Sequence, residues 1–389
     1  MLALAIAAAP QSPQKSQQSL RQTLRWEAEA AVGVEYDSNA TRLDSDNTEG
    51  DPVHAGLVRG QGHLKVRYQP RPDLVLAGSY DLAGKVFFVE AARGQDTLIH
   101  RLTGGLGLRL GDSLAARLSG LYHEGFQRSP TKDTTAGAGL FDFRLLDGRL
   151  LLGLAATRAV MGSLSLGARR FTYKPDPALS FDALLGALSV DIRHTLGKGE
   201  TESELDVAIS YTLSGRRFSD EFEHLCVSHI PGCELPETPE PGQVVTFPHP
   251  SSTRRDLVHR LSLELTWVRG VLLSGGYEYG NSRSNSFGFG YQRHELRAKV
   301  VMPLFWQIYG TLQIRARLMF YETASVVLDD PGFEEENRSH ALVQLERRLY
   351  KGLRLILRYT LFVGDLTSPE AANLRHLVFV GCAYRYRSQ

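Results

Sequence analysis

No stretch of about 18 consecutive apolar residues occurs anywhere in the chain, so no helix can be drawn that crosses a bilayer. Cysteine is scarce, with three in 389 residues, which excludes a disulfide-built scaffold. Neither sign of charge dominates: 44 Lys and Arg stand against 43 Asp and Glu, a formal net charge of +1. That balance excludes a polybasic nucleic-acid binder, and no nucleic acid is expected as a partner. The mean hydropathy of −0.20 is that of a water-soluble protein. It is also that of a membrane barrel, in which only every second strand residue meets lipid.

What the chain does have is alternation. Trp26, Ala28, Ala30, Val32, Val34 and Tyr36 share one strand face, and Glu27, Glu29 and Glu35 share the other. Leu64, Val66 and Tyr68 alternate with His63, Lys65 and Arg67. The same period recurs to the last stretch, where Leu374, His376, Val378, Val380, Cys382, Tyr384 and Tyr386 form one face. The stretches are about ten to sixteen residues long, beyond the five or six usual for soluble strands. Short connections (69–73, 111–113, 146–149, 196–200, 268–270, 303–305, 350–352) alternate with longer polar ones. The turn Leu146-Asp147-Gly148-Arg149 is expected to separate a sixth strand, 135–145, from a seventh, 150–160. Residues 162–177 read either as a long loop or as two further strands. The fold class is therefore all-β: a transmembrane antiparallel up-and-down barrel of about 16 strands, up to 18. A soluble tandem of β-sandwiches would show shorter strands and no asymmetry of turns. Residues 24–389 form the barrel. Residues 1–23 read as the remnant of a secretory signal peptide, with the apolar run Leu2–Ala9, followed by a Gln- and Ser-rich lead-in.

Two resemblances sharpen this. The ending Gly381-x-x-Tyr384-x-Tyr386 resembles the C-terminal signal of bacterial outer-membrane barrels, read by the barrel-insertion machinery. It implies a Gram-negative outer-membrane location, with outer-membrane lipid and that machinery as partners. Tyr36-Asp37-Ser38-Asn39 resembles the start of the barrel in exopolysaccharide-export porins of the poly-N-acetylglucosamine type. Those carry periplasmic helical repeats, which this sequence does not show. The resemblance implies polysaccharide export with a separate periplasmic export protein as partner. The alternatives are a small-solute, anion-preferring porin, or a plugged structural or secretion-accessory barrel for surface proteins.

A barrel of about sixteen strands is too wide for its own side chains to fill. The face opposite the apolar one then lines water. On the later strands it carries Arg260, Arg293, Arg297, Lys299, Arg315, Arg317, Arg348, Arg354 and Arg358, with Glu264, Glu278, Glu295 and Glu346. Arginine left in lipid costs about 2–4 kcal/mol at the bilayer midplane, so this face is placed inward. Its basic excess is expected to act as an electrostatic strip for anionic or hydroxyl-rich solutes. Half of it is equally explained by charges pairing across strands in a plain solvated lumen.

The proline-rich connection 218–253 is the expected plug, if one exists. It holds Cys226 and Cys233, with six residues between them. In an oxidising compartment these should form a disulfide, worth about 2–3 kcal/mol in the chain-entropy model. A metal site with His224, His229 and His249 is the alternative. Cys382, on the lipid face, is expected to be inert. His249-Pro250-Ser251 has the spacing of some outer-membrane lipid hydrolases, but it lacks an orienting group and an oxyanion site. No enzymatic activity, cofactor or resident metal is expected. The disulfide is directly testable: in protein taken from its native membrane, Cys226 and Cys233 should resist thiol reagents until reduced, and free thiols at both positions would remove the assignment.

Overall fold

Alternation of apolar and polar residues produces strands whose two faces differ, and a sheet with a lipid-compatible face must close on itself to leave no unpaired edge in the membrane. The computed structural model describes residues 23–40, 53–127, 142–157, 159–174, 180–197, 203–218, 224–227, 244–247, 254–284, 290–321, 339–363 and 374–388. The strands are β1 (Thr23–Asp37), β2 (Ala55–Arg71), β3 (Leu74–Phe87), β4 (Thr97–Arg109), β5 (Leu114–Gln127), β6 (Phe143–Ala155), β7 (Val160–Tyr173), β8 (Phe181–Leu196) and β9 (Ser203–Phe218). They continue with β10 (His224–Val227), β11 (Val244–Phe247), β12 (Arg255–Arg269), β13 (Val271–Ser284), β14 (Tyr291–Pro303), β15 (Ile308–Tyr321), β16 (Ser339–Tyr350), β17 (Leu353–Val363) and β18 (Leu374–Arg387). Sixteen of them form one closed antiparallel barrel with each strand beside its neighbours in sequence, β9 pairing with β12 and β18 with β1. β10 and β11 pair only with each other, as a two-stranded ribbon within the connection from β9 to β12.

The barrel is apolar outside and polar inside. Val32, Val34, Leu118, Leu166, Leu188 and Leu296 are among its exposed aliphatic side chains, whereas Glu35, Asp37, Arg293, Glu295, Arg317 and Arg375 are buried. An apolar surface of this extent has no place in water and is the belt of a membrane-spanning barrel. Aromatic side chains bound it. Toward the long connections, four tyrosines each bond a histidine ring on or just before the next strand: Tyr36–His54 at 2.9 Å, Tyr211–His259 at 2.6 Å, Tyr277–His294 at 2.7 Å and Tyr359–His376 at 2.8 Å. Toward the short turns, Trp26 stacks on Tyr386 at 4.8 Å, and Phe305 and Trp306 meet edge to face at 4.9 Å.

The short turns lie at one end of the barrel and the longer connections at the other, as expected. Gly352 illustrates the tightness of the former: its φ of 78° suits glycine, and a Cβ there would run into the Arg385 carbonyl. One expected turn is absent. Leu146–Arg149 lies inside β6, and the turn falls instead between β6 and β7, after Ala155. Asp-Gly is turn chemistry in isolation. Here the Asp147 carboxylate is held on the sheet by Arg149 at 2.7 Å and Arg169 at 2.8 Å. Residues 162–173 are accordingly part of β7, neither a loop nor two strands. The lead-in 1–22 and the proposed sixth strand's residues 135–141 lie outside the described residues.

Closure is made by β1 and β18, in register from Glu27↔Arg387 to Asp37↔Leu377. Acids on the inner face of β1 meet arginines of β18: Arg387–Glu27 at 2.7 Å, Arg385–Glu29 at 2.5 Å, and Arg375 with Asp37. Between them Phe379 lies over the facing pair Gly33 and Gly381, where an added Cβ on either glycine would strike its ring. Arg358 caps that ring at 5.0 Å. Phe379→Ala should destabilise the folded barrel by about 3–5 kcal/mol, as for other buried phenylalanines. Gly33→Ala should also weaken it, by displacing the ring. Both are read from the temperature at which the unheated protein loses its fast-migrating form on a gel; an unchanged midpoint for Phe379→Ala would show that the seam does not depend on the ring.

Candidate lumen lining

The strand register places every expected lumen residue on the inner face: Arg260 on β12, Arg293, Arg297 and Lys299 on β14, Arg315 and Arg317 on β15, and Arg354 and Arg358 on β17. Their surroundings differ from the expected uncompensated strip. Glu295 is fully buried and takes Arg297 at 2.6 Å, Arg315 at 2.9 Å and Arg317 at 3.3 Å. Glu278 holds Arg293 and, at 2.9 Å, Arg297, which also reaches Glu264 at 3.4 Å. Arg354 bridges Glu346 at 2.5 Å and Glu29 at 2.6 Å, and Arg358 lies 3.6 Å from Glu35. This side of the wall is a network of pairs. Low exposure and shared carboxylates immobilise its arginines and blunt their field. Lys299, with Ser274 and Gln313 as its register neighbours, and Arg348, opposite Arg354, stand outside these pairs.

A second basic surface, not singled out in the sequence, lies across the barrel. The inner face of β2 to β5 carries Arg59, Lys65, Arg67, Lys85, Arg101 and Arg117, and among the described residues its one mid-strand acid is Asp81. Asp81 is occupied by His63 at 2.5 Å and Arg101 at 3.1 Å, and Arg59 is taken by Glu35 at 2.9 Å. Lys65, Arg67 and Arg117 form no ion pair among the described residues; Glu27 is the register partner of Lys65 but is held by Arg385 and Arg387. Arg67 stands directly opposite Arg25 of β1, another inward cation. Lys65 and Arg67 are exposed to the lumen.

Small side chains make room around these cations. The register runs Lys65↔Ser79↔Thr103 and Arg67↔Ala77↔Gly105↔Ser119. Arg117 lies over Gly105, its Nε 3.5 Å from where a Cβ would stand. The sequence held a trace of this surface in the run His63-x-Lys65-x-Arg67. The other cations come one or two to a strand, and only the register assembles them.

The insertion-signal residues occupy β18. Tyr384 and Tyr386 are exposed on the outer face, and Gly381 lies beneath Phe379. Cys382 is a free, exposed thiol on the outer face. The side chains of Cys226 and Cys233, the metal alternative around them and His249-Pro250-Ser251 lie outside the described residues.

No protein family and no curated protein matches the chain. Among solved structures, the OmpF of Salmonella typhi in complex with daunomycin is similar over 92% of this chain and 97% of that one, at 11% identity and a TM-score of 0.46. OccAB4 of Acinetobacter baumannii is similar over 95% and 99%, at 9% identity and a TM-score of 0.46. The anion-selective porin from Comamonas acidovorans is similar over 94% and 100%, at 11% identity and a TM-score of 0.43. Likenesses this distant carry no weight on activity, which rests on the geometry of the wall.

The Glu295 network gives a direct test of the paired side. Glu295→Gln leaves the buried Arg317 and the partly buried Arg315 around a neutral amide, with the more exposed Arg297 still held by Glu278, and breaking a buried pair in this way costs about 3–5 kcal/mol. Its unfolding midpoint in urea should fall accordingly, and Arg315→Gln added to it should recover part of the loss. No shift in Glu295→Gln would mean that the network is solvated and weak.

Proposed function

We propose that the chain is an outer-membrane pore through which small solutes diffuse, with a preference for anions. The observation that carries this reading is the unbalanced basic surface on the inner face of β2 to β5. Cations without nearby acids attract anions within a Debye length of about 8 Å at physiological salt. They stand over glycine, alanine, serine and threonine, where the wall leaves most width. The paired network on β12 to β17 contributes an opposite wall whose cations are largely tied to interleaved carboxylates.

Export of a polysaccharide has less support. A sugar polymer would be expected to slide over a track of exposed aromatic rings, yet the inward phenylalanines Phe87, Phe143, Phe171, Phe181, Phe218 and Phe379 are buried, and the exposed inward ring of Tyr309 is a single one near the short-turn end. Diffusion of small solutes also requires no periplasmic delivery partner. In this reading the short turns face the periplasm and the longer connections the exterior. Gly381, Tyr384 and Tyr386 serve insertion, and the apolar belt meets outer-membrane lipid.

The triple variant Lys65→Gln, Arg67→Gln, Arg117→Gln should insert normally and lower the anion-to-cation permeability ratio in a planar bilayer by several-fold. Arg315→Gln with Arg317→Gln should change the ratio less, because Glu295 already offsets those charges. A barrel that conducts nothing, or a ratio untouched by the triple variant, would overturn the reading in favour of a plugged or structural barrel.

A further inference from the structure

The outer face should carry few charges, yet at the long-connection end it carries six cations in one arc. By register Arg144 of β6, Arg170 of β7, Arg217 of β9, Arg255 of β12 and Arg283 of β13 all point outward, and Lys174 follows β7 on the same phase. The acids on this arc are Glu124, Asp182 and, just before β6, Asp142, whose carboxylate accepts the Gln127 N–H at 2.7 Å. Glu124 is shared by Arg144 at 3.1 Å and Lys174 at 3.2 Å; Asp182 is held by both arms of Arg170, at 2.8 and 3.1 Å. Arg170, Asp182, Arg217 and Arg255 form one continuous row across four strands. Arg217 and Arg255 are direct register partners, so two guanidinium-bearing side chains stand side by side on the outer face. On the remaining strands the described outward residues at this end are uncharged or histidine, as in the Tyr–His pairs of the girdle.

Below the row, toward the middle of the belt, the wall is scooped out. Gly120, Gly148, Ala168 and Gly215 are outward residues on β5, β6, β7 and β9. They line a trough of about 970 Å³, bounded by Leu146 and Leu184 and overhung by Arg170, Arg217 and Arg255. A polar rim above an apolar trough, at the level where hydrocarbon gives way to headgroups, has the shape and charge of one lipid molecule.

We propose that this arc is a binding site for a phosphate-bearing lipid of the leaflet at the long-connection end, with an acyl chain in the trough and the phosphate between Arg170, Arg217 and Arg255. Charge complementarity selects an anionic headgroup, and bidentate guanidinium geometry suits phosphate in particular. The trough explains why the ligand is a lipid and not a free ion. The site lies outside the pore and is independent of whether the lumen conducts.

The test uses the full chain in a neutral detergent, with dioleoyl phosphatidic acid, dioleoyl phosphatidylcholine and inorganic phosphate as probes, read by native mass spectrometry. Phosphatidic acid should be retained at least five-fold more than phosphatidylcholine. Inorganic phosphate at the same concentration should not displace it. The variant Arg170→Gln, Arg217→Gln, Arg255→Gln should lose that preference while keeping the fast-migrating folded form. If that variant fails to fold, Gly148→Leu, which fills the trough and leaves every cation in place, should lower retention instead. Equal retention of the two lipids, full displacement by inorganic phosphate, or unchanged preference in a folded variant would each overturn the proposal.

Discussion

Every other feature of this barrel depends on one contact, the pairing of its first strand with its last. Fifteen other strand pairs are joined by connections along the chain, but β1 and β18 must find each other across nearly its whole length. A slip of one residue would turn every lipid-facing side chain into the lumen. Three devices fix the register. Acids on β1 face arginines on β18 at both ends of the seam, so a shifted pairing loses opposite charges. Gly33 and Gly381 come opposite each other only in this register, and Phe379 fills the hollow they make. On the outside, Trp26 and Tyr386 stack at the membrane boundary.

The seam also explains part of the charge distribution inside. Glu27, Glu29 and Glu35 are the densest run of acid on the inner wall. They are consumed by Arg385, Arg387, Arg354, Arg358 and Arg59. Beyond the reach of those contacts, β2 to β5 hold cations with little acid to meet them. On the opposite wall, Glu264, Glu278, Glu295 and Glu346 stand within the arginine ladder itself. The same residue types thus perform two tasks. Where carboxylates are interleaved they cross-brace long strands; where they are missing the guanidinium and ammonium groups are left to the solvent and to whatever passes.

The architecture was legible because barrel strands are long and alternate strictly, so each contributes a dozen or so residues of consistent signal. Even the number of strands was readable. The error at Leu146–Arg149 arose because Asp147-Gly148 is ordinary turn chemistry, and only contact with Arg169 on the next strand keeps it extended. The lumen was legible in orientation but not in electrostatics. Arg315 and Arg317 could be placed inward by the cost of arginine in lipid, but their shared neutralisation by Glu295 depends on the register of β14 against β15. The β2 to β5 surface stayed hidden for the converse reason: only β2 is strongly basic by itself, and the surface depends on how little acid the inner faces of four adjacent strands carry, with Asp81 as their mid-strand acid.

The outer arc follows from the same parity. Arg169-Arg170, Arg216-Arg217 and Arg254-Arg255 are adjacent pairs, and consecutive strand residues point to opposite faces. In each pair the first arginine turns inward: Arg169 to Asp147, Arg216 onto the Phe181 ring at 4.9 Å, and Arg254 to Asp256 and onto the Phe218 ring at 3.9 Å. The second is then forced outward. All three pairs lie within a few residues of the long connections, where an outward arginine stands among headgroups and costs only about 0–1 kcal/mol, against 2–4 at the midplane. A doubled arginine at a strand end therefore brings a brace for the inner wall and a cation for the membrane surface with one local sequence. Three of them, within a span of four adjacent strands, concentrate those cations on a single side of the barrel.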